Sequence, residues 1–539
     1  MTKRMRAIDF YSGIGGWTLG LRLAGIDVVS AYEFWDAARE TYKANLSSES
    51  VKVDLRRLKL KSLPKRVDIV VGSPPCTQFS YSNRGGNGDI EDGLKDIARF
   101  LSIVKFCKPK YWVMENVPRL KDILETELYS PKGRLRSFAG LFDDSEVKIE
   151  VVDMADFGLP QNRKRCIAGR IPFDLLHSYS TYCTYRTLGK VITSLGKSTV
   201  TDAAYGIQLS KTKVTDHLLE KPLTKEEKRL NRDAKVYHPV YNKMSFPDRF
   251  DRPARTVTAT CTRVSRESII IKGVKKKDQY RRLTIRERAV LQGFPITYQF
   301  FGTAGQKFKV IGNAIPPLFT FYVGSAMRGR SVTSLKHPWE LKKKFPLPRK
   351  LAQSSPTDTL RSVFLPKRRF RATIPNLRFG SGVRFELANK ITSKRTVRWE
   401  VSFLYGTPQD IRTLKLNAKL LKRLHRGKTY KILKKQFERE TTRLGKLINQ
   451  EALDSLQKIW THKLKGRPRP YEIVDELGRT AKHLIRRIRN MDETVYTEVQ
   501  KILKFKSVEV GGKRKIRDAA SAVYIGFLLG SWTNMNLSR

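Results

Sequence analysis

The first 170 residues alternate two kinds of apolar patterning. The runs MRAIDF, DVVSAYE, VDIVVGS and YWVMENV read as strands. Between them WTLGLRLAG, WDAARETYKAN and DGLKDIARFLSIVKF carry apolar residues at helical spacing. Such alternation predicts a parallel sheet with helices on both faces. Ligands in such folds bind outside the carboxyl ends of the strands.

From Ile171 to Gln279 the pattern weakens. Basic, Tyr-rich and Thr-rich segments dominate, as in HSYSTYCTYRTLGK and KVYHPVYNKMSFPDRFDRPARTVTAT, and predict an irregular, β-leaning second domain. Order returns at RRLTIRERAVLQGF, a helix ended by Gly293 and Pro295, followed by KVIGNAIPPLFTFYVGSAM, a loop whose Pro316 and Pro317 open another helix. After about Ser334 the composition shifts. KKKFPLPRKLAQSSPTDT reads as a linker, VRWEVSFLYG as a strand, and DIRTLKLNAKLLKRLHRGKTYKILKKQFERETTRLGKLI and YEIVDELGRTAKHLIRRIRNMDETVYTEVQKILK as helices with basic faces. The expected architecture is therefore an α/β, Rossmann-like parallel-sheet core over residues 1–170, closed by 280–333, around an inserted domain at 171–279. A linker at 334–360 and a basic, mainly helical extension at 361–539 follow.

Charge narrows the choice of partner. The chain of 539 residues has a formal net charge of +55, which points to a polyanion, nucleic acid before an anionic membrane surface. From Leu341 onward 47 lysines and arginines face 16 acids, so the basic character is concentrated in the extension. No apolar run approaches the roughly 20 residues of a membrane span, and no signal-peptide pattern precedes the first strand. The five cysteines form no CxxC pair, which argues against a disulfide framework and a cysteine zinc site, and for a reducing compartment. No metal is expected.

Two loops carry the candidate chemistry. DFYSGIGGWTLGLRLAG sets Gly13, Gly15 and Gly16 between a strand and a helix, where backbone can approach a ligand closely. Glu33, about 20 residues on, is placed to accept hydrogen bonds from ribose hydroxyls, and Asp54 falls at the next strand end, suited to an adenine ring. Thr18 stands where a GxGxxG fingerprint has its last glycine, so the loop indicates a nucleoside cofactor without naming one. In VDIVVGSPPCTQFS, Cys76 follows a strand that ends at the ligand-binding edge, and Pro74 and Pro75 fix its direction. A thiol there is either a buried structural cysteine or a nucleophile.

Six segments in order over about 320 residues decide between these: DFYSGIGG, GSPPCTQFS, ENV, QNRKR, RLTIRERAVLQGFP and IGNAIPP. Together they resemble the cytosine-5 DNA methyltransferase family. The resemblance implies S-adenosylmethionine as cofactor, held by Phe10, Gly13, Gly15, Gly16, Glu33 and Asp54 and braced by Asn313. It implies Cys76 as nucleophile, Glu115 as the acid on ring nitrogen 3, and Arg163 and Arg165 as residues that orient the base and lower the thiol pKa. The target cytosine would be flipped out of duplex DNA, and residues 171–279 would read the major groove. Thr77 stands where the family usually has Gln.

The implied setting is a restriction-modification or orphan enzyme, with a possible cognate restriction endonuclease as partner, no membrane, and a monomer on DNA. The compartment would be the cytoplasm, at the nucleoid, in a prokaryotic or viral system, or else a nucleus. Three alternatives remain at this level. A tRNA-methylating enzyme would carry a Cys-Phe-Thr signature in its recognition segment, and none is found. A fused C-terminal nuclease would need Glu-x-Lys on a strand, which WEVSF and VEVGGKRK match poorly. A catalytically inactive DNA-binding protein is disfavoured by the intact Cys76, Glu115 and Arg165.

Overall fold

Seven strands line up in the order β3-β2-β1-β4-β5-β7-β6: β1 (Arg6–Phe10), β2 (Asp27–Glu33), β3 (Val51–Lys52), β4 (Ile69–Gly72), β5 (Tyr111–Asn116), β6 (Val147–Asp153) and β7 (Lys164–Arg170). The computed structural model describes residues 4–80, 88–236, 244–273, 279–344, 347–348, 351–358, 363–379, 383–391, 396–406, 411–448, 450–503 and 516–537. Neighbouring pairs among β1 to β5 are parallel, as the alternation predicts, but β7 runs antiparallel to both β5 and β6. An antiparallel strand begins where its neighbours end. The start of β7 therefore shares the sheet edge reached by the ends of β1, β4 and β5.

The intervening helices are α1 (Gly16–Leu23), α2 (Asp36–Leu46), α3 (Ile90–Cys107) and α4 (Leu120–Tyr129). One core cluster gathers α1 and the closing segment around Ile69, Val71 and Val113; the other gathers α3 around Val70, Trp112 and Met114. Strands lined alternately by these two clusters are buried on both faces, which is why they read as apolar runs.

After β7 come α5 (Phe173–Ser180), α6 (Leu188–Gly196), the hairpin-like pair β8 (Thr199–Asp202) and β9 (Ile207–Ser210), α7 (Lys225–Val236), and the antiparallel pair β10 (Ile270–Lys272) and β11 (Tyr280–Arg282). Among its described residues, the segment expected to be irregular thus holds three α-helices and short strands. Its core residues, among them Leu188, Ile192 and Tyr205, are continuous with the core of the sheet domain. The parts of KVYHPVYNKM at 237–243 and of GVKKKD at 274–278 lie outside the described residues.

The chain closes its first compact unit, residues 1–231 and 245–358, with α8 (Ile285–Leu291), α9 (Ala304–Asn313) and α10 (Pro317–Met327). Thr284 and Thr303 begin α8 and α9 with reciprocal capping boxes to Glu287 and Gln306. KVIGN, expected as loop, is the last turn of α9, and the break is confined to Ala314–Pro316. The stretch Ala304–Met327 is apolar and long enough to cross a membrane, yet its most apolar 18-residue window is 94% buried and the stretch is interrupted by that break, as a core segment is. Residues 351–358, expected as linker, join this unit: buried Lys307 holds Asp216 at 2.9 Å and the Gln353 carbonyl at 2.9 Å, and Asp216 Oδ1 accepts from the Ser355 amide.

The second unit comprises 232–244 and 359–539. Its antiparallel sheet has β12 (Arg371–Phe379), β13 (Val383–Ile391), β14 (Val397–Gly406) and β15 (Ile411–Leu414) in that order. Helices α11 (Ala418–His425), α12 (Lys428–Leu447), α13 (Gln450–Trp460), α14 (Pro470–Ile488), α15 (Asp492–Leu503) and α16 (Ala520–Leu537) complete it. The reading of DIRTLK as helix is corrected, because Ile411–Leu414 pairs with β14. The apolar α16 is buried nearly all round against β14, α11, α14 and α15. Its Asn534 is satisfied by Val401 N, Val401 O and Leu416 O.

Candidate active site

Register brings the candidate residues to one edge. Phe10 pairs with Gly72, and Gly72 with Met114. Tyr11 and Ser73 therefore leave the sheet beside Glu115, whose strand runs one residue further, to Asn116. On β7, Cys166 pairs with Asn116 and Ile167 with Glu115, which sets Arg165 just beyond, over the same edge.

The cysteine loop is held at three points. Trp17 Nε1 donates to Ser73 Oγ at 3.1 Å, and Asn116 Nδ2 donates to the Pro74 carbonyl at 2.9 Å. Beyond Cys76, its carbonyl accepts from the Phe79 and Ser80 amides, both at 3.1 Å, while buried Phe79 anchors the turn in the core. Gln78 Oε1 accepts from Asp89 N at 2.9 Å, at the N-cap of α3. Gln78 therefore serves the loop itself, and Thr77, like Pro75, is exposed beside the thiol.

Glu115 and Arg165 form an almost fully enclosed ion pair, Oε1 to Nε 2.9 Å. Burial pushes the Cys76 thiol above its ordinary value; Arg165 opposes this, Glu115 reinforces it, and Arg163 opposes it more weakly. Thiol, carboxyl and both guanidinium groups thus share one electrostatic neighbourhood. The two arginines divide the work differently from the sequence expectation. Arg163 is buried, and its guanidinium donates to the carbonyls of Val257 at 3.2 Å, Gly312 at 3.3 Å and Ala314 at 3.0 Å. Burial, then the nearby Arg165, lowers its pKa to about 9. Placed so, Arg163 locks the lead-out from the inserted segment onto the closing segment.

At the first strand ends, Gly13 has φ +52° with no atom within 4 Å of where a Cβ would stand, so the loop opens onto free space there. Glu33 accepts from Gly13 N at 2.9 Å and Trp35 N at 2.8 Å, and burial raises its pKa. Gly16 meets the opposite constraint, since a Cβ there would fall inside the Ile315 carbonyl oxygen. Gly15 faces Tyr42 and Leu46. Phe10 is fully buried and its ring stacks on Tyr32 at 5.0 Å, so it backs the loop from within the core. Asp54 caps the turn at Leu55–Arg57 through the Arg56 amide. Arg56 in turn binds Asp92 and Asp96 of α3. Asn313 ends α9 exposed, between Gly312 and Ala314, two of the three residues whose carbonyls Arg163 holds. Among the described residues no cluster of three or more His, Cys, Asp or Glu side chains could hold a metal.

The family model for C-5 cytosine-specific DNA methylases matches residues 5–329. The chain belongs to this family. It is a DNA cytosine-5 methyltransferase, and the match spans every candidate site residue. The type II methyltransferase M1.HphI of Haemophilus parahaemolyticus is 29% identical over 340 residues, 59% of this chain and 86% of that protein. The type II methyltransferase M.HindV of Haemophilus influenzae is 29% identical over 337 residues, 60% of this chain and 96% of that protein. Among solved structures, a putative DNA modification methyltransferase encoded within an E. coli prophage covers 60% of this chain and 99% of its own at 22% identity, with a TM-score of 0.42.

The family implies S-adenosylmethionine as methyl donor, and the residues fit it. Buried Ser12 Oγ in the glycine loop has no hydrogen-bond partner, space opens beside Gly13, and a carboxylate stands at the end of β2. Three positioning residues escaped the sequence reading of this methyltransferase. Asn116 lay inside the quoted ENV without a role. Gln161 of QNRKR is fully buried, donating to the Leu291 carbonyl and Gln292 Oε1 and accepting from Val257 N. Trp17 looked like an ordinary apolar helix position. The neighbourhood of each within a motif was the only available signal.

Proposed function

We propose that this methyltransferase acts through a covalent adduct between Cys76 and a cytosine flipped out of a specific duplex sequence. The observation that carries the reading is the shared edge of Cys76, Glu115 and Arg165, with thiol and carboxyl electrostatically coupled and the carboxyl paired at 2.9 Å. Cytosine carbon 5 is a poor nucleophile. Attack of the Cys76 thiolate on carbon 6 forms an S–C bond and moves the ring electron pair toward carbon 5. Glu115, entering the step with a proton on the oxygen that does not face Arg165 Nε, gives it to ring nitrogen 3 as that pair shifts and takes it back once carbon 5 is methylated. Arg165 orients Glu115 and favours the thiolate. After carbon 5 is methylated, its proton passes to a water acting as base, and the electron pair of that C–H bond expels the Cys76 sulfur as thiolate and restores the aromatic ring.

Glu33 and the Gly13–Gly16 loop would hold the S-adenosylmethionine ribose and methionine portions, with Asp54 toward the adenine and Asn313 bracing the pocket. When bound, the cofactor supplies an electrophilic methyl group. A closed site is needed because water would protonate the activated carbon 5. The setting we favour is a restriction-modification system, with a cognate endonuclease and a monomer acting on DNA, since the relatives above carry type II names.

The test is trapping. With S-adenosylmethionine and a duplex carrying 5-fluorocytosine at the target, the carbon 5 proton is replaced by fluorine and elimination fails. A denaturation-resistant protein–DNA adduct is expected, and Cys76→Ala should form none while still binding DNA. Adduct formation by the Ala variant would overturn the nucleophile assignment, and transfer to tRNA alone would overturn the substrate.

A further inference from the structure

The second unit presents a predominantly basic face, interrupted on one helix by exposed Ile432, on two antiparallel helices. Arg443 of α12 meets Glu476 of α14 at 2.5 Å, and Glu440 of α12 meets His483 of α14 at 3.4 Å. As the number falls along α12 it rises along α14, so the helices run antiparallel. At 100° per residue, the side of α12 beside this seam carries Lys428, Lys435, Arg439, Arg443 and Lys446. The matching side of α14 carries Arg479, His483, Arg486 and Arg487. All of the lysines and arginines among them are exposed.

The acids on this seam do not balance the bases. Glu476 is shared between Arg443 and Arg479, each at 2.5 Å, and Glu440 between Arg439 and His483. Lys428, Lys435, Lys446, Arg486 and Arg487 have no acidic partner among the described residues. A face that merely keeps a protein soluble mixes both signs; here the exposed Glu438 borders the face three residues from Lys435 and leaves it net positive. Arg486 and Arg487 also complement the C-terminal dipole of α14, but that accounts for one end of the face only. From Lys428 to Lys446 the face extends about 27 Å at 1.5 Å per residue, comparable with about eight base pairs of duplex.

We propose that this α12–α14 face binds the phosphate backbone of duplex DNA, independently of base sequence, as an anchor additional to the methyltransferase domain. Exposed lysines and arginines in a row suit phosphates at helical spacing and carry no base-edge geometry. The identity of the polyanion rests on the DNA-methylation reading. Affinity is measured separately from methyl transfer, so the two can fail separately.

The experiment compares full-length protein with a variant carrying Lys428→Gln, Lys435→Gln, Lys446→Gln, Arg486→Gln and Arg487→Gln. Binding to a 30-base-pair duplex without cofactor is followed from 50 to 300 mM salt. The slope of log affinity against log salt should flatten by about 3 to 5, near 0.9 for each phosphate no longer neutralised. The loss should be equal on cognate and scrambled duplexes. A control, Lys463→Gln with Lys465→Gln, removes exposed charges from the loop between α13 and α14 and should change the slope by less than half as much per charge. Circular dichroism melts verify folding of both. An unchanged slope, an equal per-charge effect in the control, or a loss confined to structured RNA would each overturn the proposal.

Discussion

Asn116 donates from Nδ2 to the Pro74 carbonyl at 2.9 Å, two residues before Cys76, and its own Oδ1 accepts from the Val117 amide. One buried side chain thus ties the end of β5 to the cysteine loop, and so carries the relative position of Glu115 and the thiol. Asn116→Ala should cost about 1–3 kcal/mol of stability, since a buried carbonyl loses its donor. It should cost tenfold or more in kcat by loosening the thiol's placement. Single-turnover methyl transfer at saturating DNA and cofactor checks this. A kcat unchanged in a folded variant would contradict it.

The thiol should answer to Arg165. Burial raises the Cys76 pKa and the Arg165 charge is the first influence lowering it, so Arg165→Met should move the thiol further up. Alkylation of Cys76 by iodoacetamide at pH 8 is expected to slow several-fold. The midpoint of the alkylation rate against pH should move to higher pH. A midpoint unmoved or lowered would mean that Arg165 acts only on Glu115.

Asp9 should govern stability between about pH 4 and 7. It is fully buried beneath the glycine loop; Oδ2 accepts from Thr18 N and Thr18 Oγ1, whereas Oδ1 has no partner. Burial raises its pKa from 3.8 to about 7. The folded state therefore keeps a proton that the unfolded chain releases. Stability from this group is full below about pH 4 and lost as pH rises through 7, up to about 4 kcal/mol. Asp9→Asn should remove that slope. Urea denaturation at pH 4.5 and 7.5 compares the two, and parallel profiles would exclude Asp9.

Gly16→Ala should separate α1 from the closing segment. The added Cβ has no room against the Ile315 backbone, and Thr320 Oγ1 bonds the Gly16 carbonyl at 2.8 Å at the same place. A loss of about 1–3 kcal/mol is expected, with weaker S-adenosylmethionine binding by calorimetry. Gly305→Ala, with open space around it in α9, serves as the control and should be near neutral.

The amino-acid sequence by itself determined the strand–helix alternation, the glycine loop, and the places of Cys76 and Glu115 near strand ends, because these are local: a buried strand is an apolar run, a tight turn needs glycine, and each residue lies within a few positions of the end of its own strand. It also located the excess of charge in the extension. It did not determine the direction of β7, since strand polarity within a sheet depends on partners distant in the chain. That direction decides that Arg165 reaches the Glu115 carboxyl. Nor did it separate the roles of Arg163 and Arg165, two residues apart in QNRKR. Packing at the strand's entry sends one guanidinium to three backbone carbonyls and the other to Glu115. Likewise β15 looked helical until β14 supplied a ladder, because a backbone's hydrogen-bond partners come from packing and outweigh the weak preference of four residues.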